Sequence, residues 1–262
     1  MQTTTRPLAA LLLVAVLAAC VAAESASTQP ATQPRTAEQW LERIEQRADD
    51  IDTLRAALRY ERVAGLLEDR QLRAGTLYYD AGPPPRFAVH FDRAVINNRM
   101  REQDRRYIFD GRWLAERQED QKVFIRRELV PEGEDGEQML ELSGGPFLLP
   151  LDLDKDQVLE RFEVELVAAE DDDGDRLANA VHLRLTPRPH VDAQQERLDV
   201  WYDRDTALPM RVRGQERGRD HWTVDLADAE TGVDIDEPRF DTRPPQEPGW
   251  QIEHAGRDAE GE

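Results

Sequence analysis

The chain has 262 residues with 34 basic and 54 acidic side chains, a formal net charge of −20 and a pI of about 4.7. Such an acidic surface repels phosphates, so we expect neither nucleic-acid binding nor polybasic binding to anionic membrane headgroups. Hydrophobic residues make up 39% of the chain and charged residues 34%. This composition favours a sheet with one solvent-exposed face over a sheet buried on both sides.

The first 20 residues have the pattern of an export signal that ends at the chain's single cysteine. Arg6 precedes an apolar run over residues 8–19, which is shorter than the roughly 20 residues that a membrane-spanning helix needs. Leu17-Ala18-Ala19-Cys20 is the pattern of a bacterial lipoprotein signal, in which cleavage before the cysteine frees its amine and thiol for acylation. We therefore expect a signal peptide over 1–19 and a lipidated Cys20, with an ordinary secretory signal as the alternative.

The rest of the chain divides into a tether, one domain and a tail. Residues 20–36 are small, polar and proline-containing, which predicts a flexible tether that begins at the lipidated cysteine. Residues 37–253 form the predicted domain, and residues 254–262 form a polar, acidic tail that is expected to fray.

One predicted helix is followed by many predicted strands. Thr36 can cap a helix whose apolar residues Trp40, Leu41 and Ile44 recur at helical spacing. After it the apolar period changes to two, and Asp110-Gly111 marks a hairpin. The predicted strands lie at about residues 54–60, 71–79, 87–91, 106–109, 112–117, 122–129, 162–168, 181–186, 198–203, 210–215 and 222–226, with a last short piece beginning at Phe240.

The strand pattern is interrupted once in the middle of the chain. A turn cluster at 143–146 leads into an apolar run at 147–151 and a short predicted helix at 152–161. Ten or eleven strands with two helical interruptions predict a mainly β fold, built as one curved antiparallel sheet or an open barrel. The apolar face of such a sheet needs a cover, and the segment 147–162 is the predicted cover.

Residue types that could carry catalysis or hold a metal form no recognised motif. The acidic run 170–175 fails the EF-hand pattern because Arg176 occupies the position of the invariant glycine. The five histidines lack metal-ligand spacing, so we predict no metal site and no cofactor. An envelope hydrolase that uses His90, His182 and His221 is an alternative without a supporting motif.

Five short motifs follow one another between residues 54 and 250. They lie at residues 75–79 with 84–87, 109–114, 145–149, 185–187 and 240–245. In this order they resemble hairpins and strand ends of the LolA/LolB-like superfamily of outer membrane lipoprotein carrier and sorting proteins. The resemblance implies an unclosed antiparallel β-barrel with a helical lid. It also implies a protein without enzymatic activity that shelters acyl chains of lipids or lipoproteins from water.

The resemblance also implies an apolar cavity, whose residues we assign by strand alternation. The predicted lining consists of Phe87, Val89, Phe91, Tyr107, Phe109 and Trp113. The predicted lid residues are Phe147, Leu148, Leu151 and Val158. For each of these residues an ordinary packed core is the alternative.

The chain departs from the family pattern in two respects. The family has a lid-latching arginine before a proline of the first hairpin, but residues 80–85 contain no arginine and Arg86 follows them. A latch of the family type is therefore not expected. Cys20 predicts an anchored protein rather than a soluble shuttle, as in the lipid-anchored acceptors of the same fold.

These inferences predict a lipid-anchored protein of the bacterial envelope that faces the periplasm, with the outer membrane favoured over the inner one. Its expected partners are acyl chains and the membrane that holds its anchor, and the resemblance allows lipoprotein-release machinery as a further partner. The alternative is an envelope sensor or protein-interaction lipoprotein that uses the same fold without lipid transfer.

Overall fold

The computed structural model describes residues 34–65, 69–96, 99–131, 151, 153–168, 174–191, 193, 195–216, 218 and 220–255. Over these residues the helices are α1 (Ala37–Asp49) and α2 (Lys155–Arg161), with two short 3₁₀ helices at Asp175–Leu177 and Glu237–Phe240. The strands are β1 (Thr53–Ala64), β2 (Asp69–Asp80), β3 (Arg86–Ile96), β4 (Arg99–Phe109), β5 (Trp113–Gln118), β6 (Val123–Glu128), β7 (Phe162–Val167), β8 (Ala180–Pro187), β9 (Gln195–Asp203), β10 (Pro209–Glu216), β11 (His221–Thr231) and β12 (Gln251–Ala255).

All twelve described strands belong to one sheet with the order β12-β6-β5-β4-β3-β2-β1-β11-β10-β9-β8-β7. Neighbouring strands are antiparallel, apart from β12, which runs parallel to β6. The order is linear and ends at β7 and β12, so the sheet is unclosed over the residues described. The predicted mainly β, unclosed antiparallel architecture is confirmed, with twelve strands in place of the expected ten or eleven.

The register sorts the side chains of the sheet into two faces. One row of paired residues crosses five strands and is apolar throughout; it consists of Tyr60, Val224, Val212, Val200 and Leu183. These residues share one buried core with side chains of both helices. We call the side of the sheet on which they lie the helix face and the opposite side the outer face. The outer face is largely polar, which fits the high charged fraction of the chain.

The first helix begins where the sequence predicts. The Thr36 side chain accepts a hydrogen bond from the Gln39 backbone N–H at 3.2 Å, which satisfies one of the free donors at the helix start. The predicted apolar residues Trp40, Leu41 and Ile44 are all buried against the sheet. The second helix is shorter than predicted and begins at Lys155, after an Asp154 cap.

The C-terminal region differs from the sequence prediction. Phe240 does not begin a strand; it ends the 3₁₀ helix Glu237–Phe240. Pro238 lies in the first turn of this helix, where its lack of a backbone N–H is tolerated, whereas a strand would need that donor. The last strand lies at Gln251–Ala255 instead, so the predicted tail at 254–262 begins inside β12.

Candidate functional site

Five of the six predicted lining residues lie together on the helix face. Val89 on β3 is paired with Tyr107 on β4, and Phe87 is paired with Phe109. The ring centres of Phe87 and Phe109 are 5.6 Å apart, and those of Phe91 and Tyr107 are 6.2 Å apart in an edge-on arrangement. Val89 and Phe91 have no exposed surface, so their side chains are packed in the apolar interior.

The structure corrects the placement of Trp113. Leu114, not Trp113, is paired with Phe109, so Trp113 points to the outer face. There its ring packs under the guanidinium of Arg126, whose carbon lies 4.1 Å from the ring centre. A hairpin whose loop has an even number of residues always places Leu114 on the same face as Phe109, and Trp113 on the opposite face. This holds for the observed pairing and also for the shorter two-residue turn Asp110-Gly111. The sequence therefore already contained the signal that removes Trp113 from the lining.

The predicted lid residues divide into two groups. Leu151 and Val158 are buried in the same core as Val89 and Phe91. Phe147 and Leu148 lie outside the described residues. The backbone N–H of Lys155, at the start of α2, donates to Glu45 Oε1 of α1 at 3.0 Å, so the two helices are joined by a polar contact as well as by the core.

Helix α1 also covers the helix face, a role that the sequence analysis did not assign to it. Its side chains Trp40 and Leu41 are fully buried. Polar contacts tie its other side to the edge of the sheet: Arg43 donates to the Asp205 carbonyl in the turn after β9 at 2.9 Å, and Arg47 donates to Thr231 Oγ1 at the end of β11 at 3.5 Å. The helix is thus held by an apolar stripe and a few peripheral hydrogen bonds. The i, i+3, i+4 pattern of the stripe was the available signal for this role.

One end of the helix face is polar. Arg105 forms an ion pair with Glu116, and its guanidinium carbon lies 5.4 Å from the centre of the Tyr107 ring. Tyr107 lies beside this pair, whereas Tyr60 lies near Arg62 and Arg73, and burial raises the pKa of both phenols. On the helix face of β4, the apolar surroundings of Tyr107, which is paired with Val89, therefore give way to the charged Arg105 two residues away.

Arg86 lies on the outer face, because its neighbour Phe87 on β3 lies on the helix face. It forms ion pairs with Asp80 and with Glu237, the latter at 2.8 Å, and its guanidinium carbon lies 4.6 Å from the centre of the Phe240 ring. These contacts hold the 3₁₀ helix Glu237–Phe240 against the outer face.

A pocket of about 590 Å³ lies on the outer face, between strands β2–β5 and residues 236–243. Its lining combines apolar residues with many charged ones, which are Arg106, Arg117, Arg239, Arg243, Asp236 and Asp241. An acyl chain placed there would desolvate charged groups that are ion-paired, such as Arg106 with Asp104 and Arg243 with Asp241, and this costs free energy. The pocket is therefore unsuited to the ligand that the resemblance implies.

The three histidines of the hydrolase alternative lie on different strands. His182 on β8 contacts Asp199 Oδ1 through Nε2 at 2.8 Å and stacks on Trp201 with ring centres 4.1 Å apart. His90 lies on β3 and His221 on β11, so the register does not bring the three together. Among the described residues, no group of three or more His, Cys, Asp or Glu is placed to hold a metal ion. Within the same residues, no helix has the length and apolar character to cross a membrane.

Neither a protein-family profile nor a curated protein sequence matches this chain. Several solved structures are similar to it. An uncharacterized conserved protein from Thermus thermophilus is 10% identical, with 84% of this chain and 99% of that chain covered and a TM-score of 0.48. A LolA superfamily protein from Nitrosomonas europaea is 13% identical, with 79% and 98% covered and a TM-score of 0.36.

The lipoprotein LppX from Mycobacterium tuberculosis is also similar; it is 14% identical, with 75% of this chain and 96% of that chain covered and a TM-score of 0.38. The superfamily that the sequence resembles is thus represented among the similar structures. At these identities and TM-scores we take no function from the neighbours.

Proposed function

We propose that this protein is a lipid-anchored protein of the bacterial envelope that binds acyl chains of lipids or lipoproteins and acts in their carriage or sorting. The observation that carries the proposal is the continuous apolar helix face of an unclosed sheet, covered by separate helices. We infer that an acyl chain takes the place of α1 on this face and extends along it to Val89, Phe91 and Tyr107.

The free energy lost by displacing α1 is close to the free energy gained by burying an acyl chain in its place. Displacing Trp40, Leu41 and Ile44 from the core costs about 1.5–3 kcal/mol for each side chain, or about 5–9 kcal/mol in all. Burying about ten methylenes at roughly 0.8 kcal/mol each returns about 8 kcal/mol. A long acyl chain can therefore replace the apolar stripe of α1, whereas a short chain cannot. The described side chains of the helix face pack against one another, so under the proposal this core opens to accept the lipid.

The polar end of the helix face suits the headgroup of the same ligand. Arg105, Glu116 and the Tyr107 hydroxyl lie next to the apolar residues that would contact the chain. An ester or phosphate at the end of an acyl chain could accept hydrogen bonds there while the chain lies towards Val89. This arrangement predicts a preference for lipids with a polar head over plain hydrocarbons.

The anchor is the second part of the proposal. Acylation at Cys20, after removal of residues 1–19, would hold the domain at the membrane by a tether of residues 20–36. The proposed site is the periplasmic side of the envelope, with the outer membrane favoured.

The test is native mass spectrometry, with lipid extraction, of the protein carrying Cys20→Ser and purified from bacterial envelope extract. We expect a reproducible acyl-bearing adduct. Phe91→Ala enlarges the interior of the helix face and should shift the bound lipids towards longer chains. Ile108→Ala removes similar buried bulk from the outer face and should leave the chain-length profile unchanged. A bare mass in the presence of excess lipid and lipoprotein would overturn the proposal and favour a protein-binding role without lipid transfer.

A further inference from the structure

A group of arginines lies on the outer face of strands β8–β11 and β1. Arg59 is paired across the strands with Asp225, which is paired in turn with Arg211. Arg213 is paired with Asp199, which is paired in turn with Arg184. Five strands at about 4.8 Å spacing give this surface a width of about 19 Å. We call it the arginine face; its members are Arg59, Arg176, Arg184, Arg197, Arg211 and Arg213.

The buried carboxylate of Asp225 holds three of these arginines. Asp225 is 6% exposed. Its Oδ1 accepts hydrogen bonds from Arg211 Nε at 2.6 Å and from Arg176 Nη2 at 3.0 Å, and Arg59 Nη1 lies 3.6 Å from Oδ2. One carboxylate therefore fixes three guanidinium groups with a single negative charge.

A second buried carboxylate, that of Asp199, acts in the same way. Asp199 is 3% exposed, and its oxygens lie 2.9 Å from Arg184 Nε, 2.8 Å from Arg197 Nε and 2.8 Å from His182 Nε2. Burial by itself raises the pKa of Asp199, but the hydrogen bonds from His182 and Arg184 and the charge of Arg197 lower it below its usual value. The carboxylate is ionised at neutral pH and keeps these cations in place.

The arginine face carries more positive than negative charge. Beyond the two buried carboxylates, Glu61 pairs with Arg59 at 2.8 Å and with Arg70, and Glu165 lies opposite Arg184. Glu163 lies on the same face of β7 as Glu165. Counting Arg70 and Glu163, seven arginines face five carboxylates, in a chain whose net charge is −20. Each guanidinium carries five N–H donors, and two carboxylates satisfy only a fraction of those on the face. The planar fork of arginine suits bidentate binding to phosphate oxygens.

We infer that the arginine face is a docking surface for the phosphate headgroups of anionic membrane lipids. An array of cations spread over about 19 Å can meet several lipid phosphates, whereas a single small anion would contact only a part of it. The acidic remainder of the protein does not prevent this contact, because charges farther than about 8 Å are largely screened at physiological ionic strength. Under this inference, the composition-based expectation that anionic headgroups are repelled would not hold at the arginine face. The inference does not depend on acyl-chain binding at the helix face.

The test is co-sedimentation of the protein carrying Cys20→Ser with phosphatidylcholine vesicles, with and without phosphatidylglycerol. We expect binding only to the anionic vesicles, and weaker binding as salt is raised. Since each arginine near an anionic surface contributes a factor of about five, Arg213→Ala should lower partitioning about fivefold, and Arg197→Ala with Arg213→Ala about 25-fold. Arg62→Ala removes the same charge from the opposite face of β1 and is the matched control.

Three outcomes would overturn the inference. One is equal binding to both vesicle types, which would indicate acyl insertion and leave the proposed function standing. Another is an equal loss in Arg62→Ala and Arg213→Ala, which would reflect net charge rather than this surface. The third is full displacement from anionic vesicles by millimolar inorganic phosphate at constant ionic strength, which would indicate a site for a single phosphate.

Discussion

If an acyl chain replaces the apolar stripe of α1, then weakening that stripe should strengthen lipid binding. Leu41 is fully buried between α1 and the helix face. Leu41→Ala is expected to lower the free energy of unfolding by about 2–5 kcal/mol, from lost burial and the cavity left behind. A domain with a stability of about 5–15 kcal/mol tolerates such a loss and remains folded.

The same substitution changes the cost of opening. The bound state under the proposal has α1 displaced, so the energy lost from α1 docking in Leu41→Ala is returned on binding. Because each 1.4 kcal/mol corresponds to a factor of about ten, a loss of about 2 kcal/mol or more should raise acyl-chain affinity at least tenfold. Destabilisation and tighter binding are therefore expected together.

The assay is displacement of a fluorescent fatty acid from the protein, with chemical denaturation measured in parallel. Gln46→Ala changes the exposed side of the same helix and should leave both quantities nearly unchanged. If Leu41→Ala loses the expected stability but binds fatty acid with unchanged or weaker affinity, then α1 does not yield its place to the ligand and the reasoning is wrong.

Three further substitutions test the packing, the buried charges and the first helix. Gly214→Ala would place a Cβ 2.3 Å from the buried ring of Trp222, so we expect a loss of about 1–3 kcal/mol in chemical denaturation; an unchanged midpoint would contradict this contact. The usual pKa of an aspartate is 3.8, and that of Asp199 is lower in the folded protein. Asp199 therefore stabilises the fold at pH values above 3.8, and this contribution is lost as the pH falls through the folded-state pKa. The stability difference between wild type and Asp199→Asn should therefore be largest near neutral pH and shrink below about pH 4, and a pH-independent difference would refute the assignment. Thr36→Ala removes the acceptor for the Gln39 N–H and should cost about 1 kcal/mol in thermal unfolding, whereas Thr36→Asp should keep most of the stability.

Local patterns in the sequence account for most of the described strands and for α1. The alternation around Leu58 and Tyr60 and the cap at Thr36 are short-range signals, and the structure places these residues as predicted. The position of Trp113 was also available from local information, because the parity of the Asp110-Gly111 hairpin assigns it to the outer face. Trp113 was assigned to the wrong face because the pairing of β4 with β5 was not worked out, although the sequence contained the information.

Other features depend on contacts between distant parts of the chain. The parallel pairing of Gln251–Ala255 with β6 has no short-range signature, since nothing near residue 251 encodes its partner. The arginine face is assembled from six residues spread between positions 59 and 213, of which only Arg211 and Arg213 share a basic stretch of sequence, at 211–219. Overall composition pointed in the opposite direction, because net charge averages over surfaces that the register separates.

The first strand of the chain lies in the middle of the sheet, and this has a consequence for how the protein reaches its folded state. Leu58 of β1 is paired with Gly75 on one side and with Leu226 on the other. The hairpin with β2 can form as soon as those residues are made, but the other edge of β1 waits for almost the entire chain. Before β11 is synthesised and paired with it, β1 has a row of unpaired backbone N–H and C=O groups beside an apolar face. Such a surface promotes aggregation. We therefore expect truncation before residue 221 to yield insoluble material rather than a smaller stable sheet, and refolding to be slow and limited by this long-range closure.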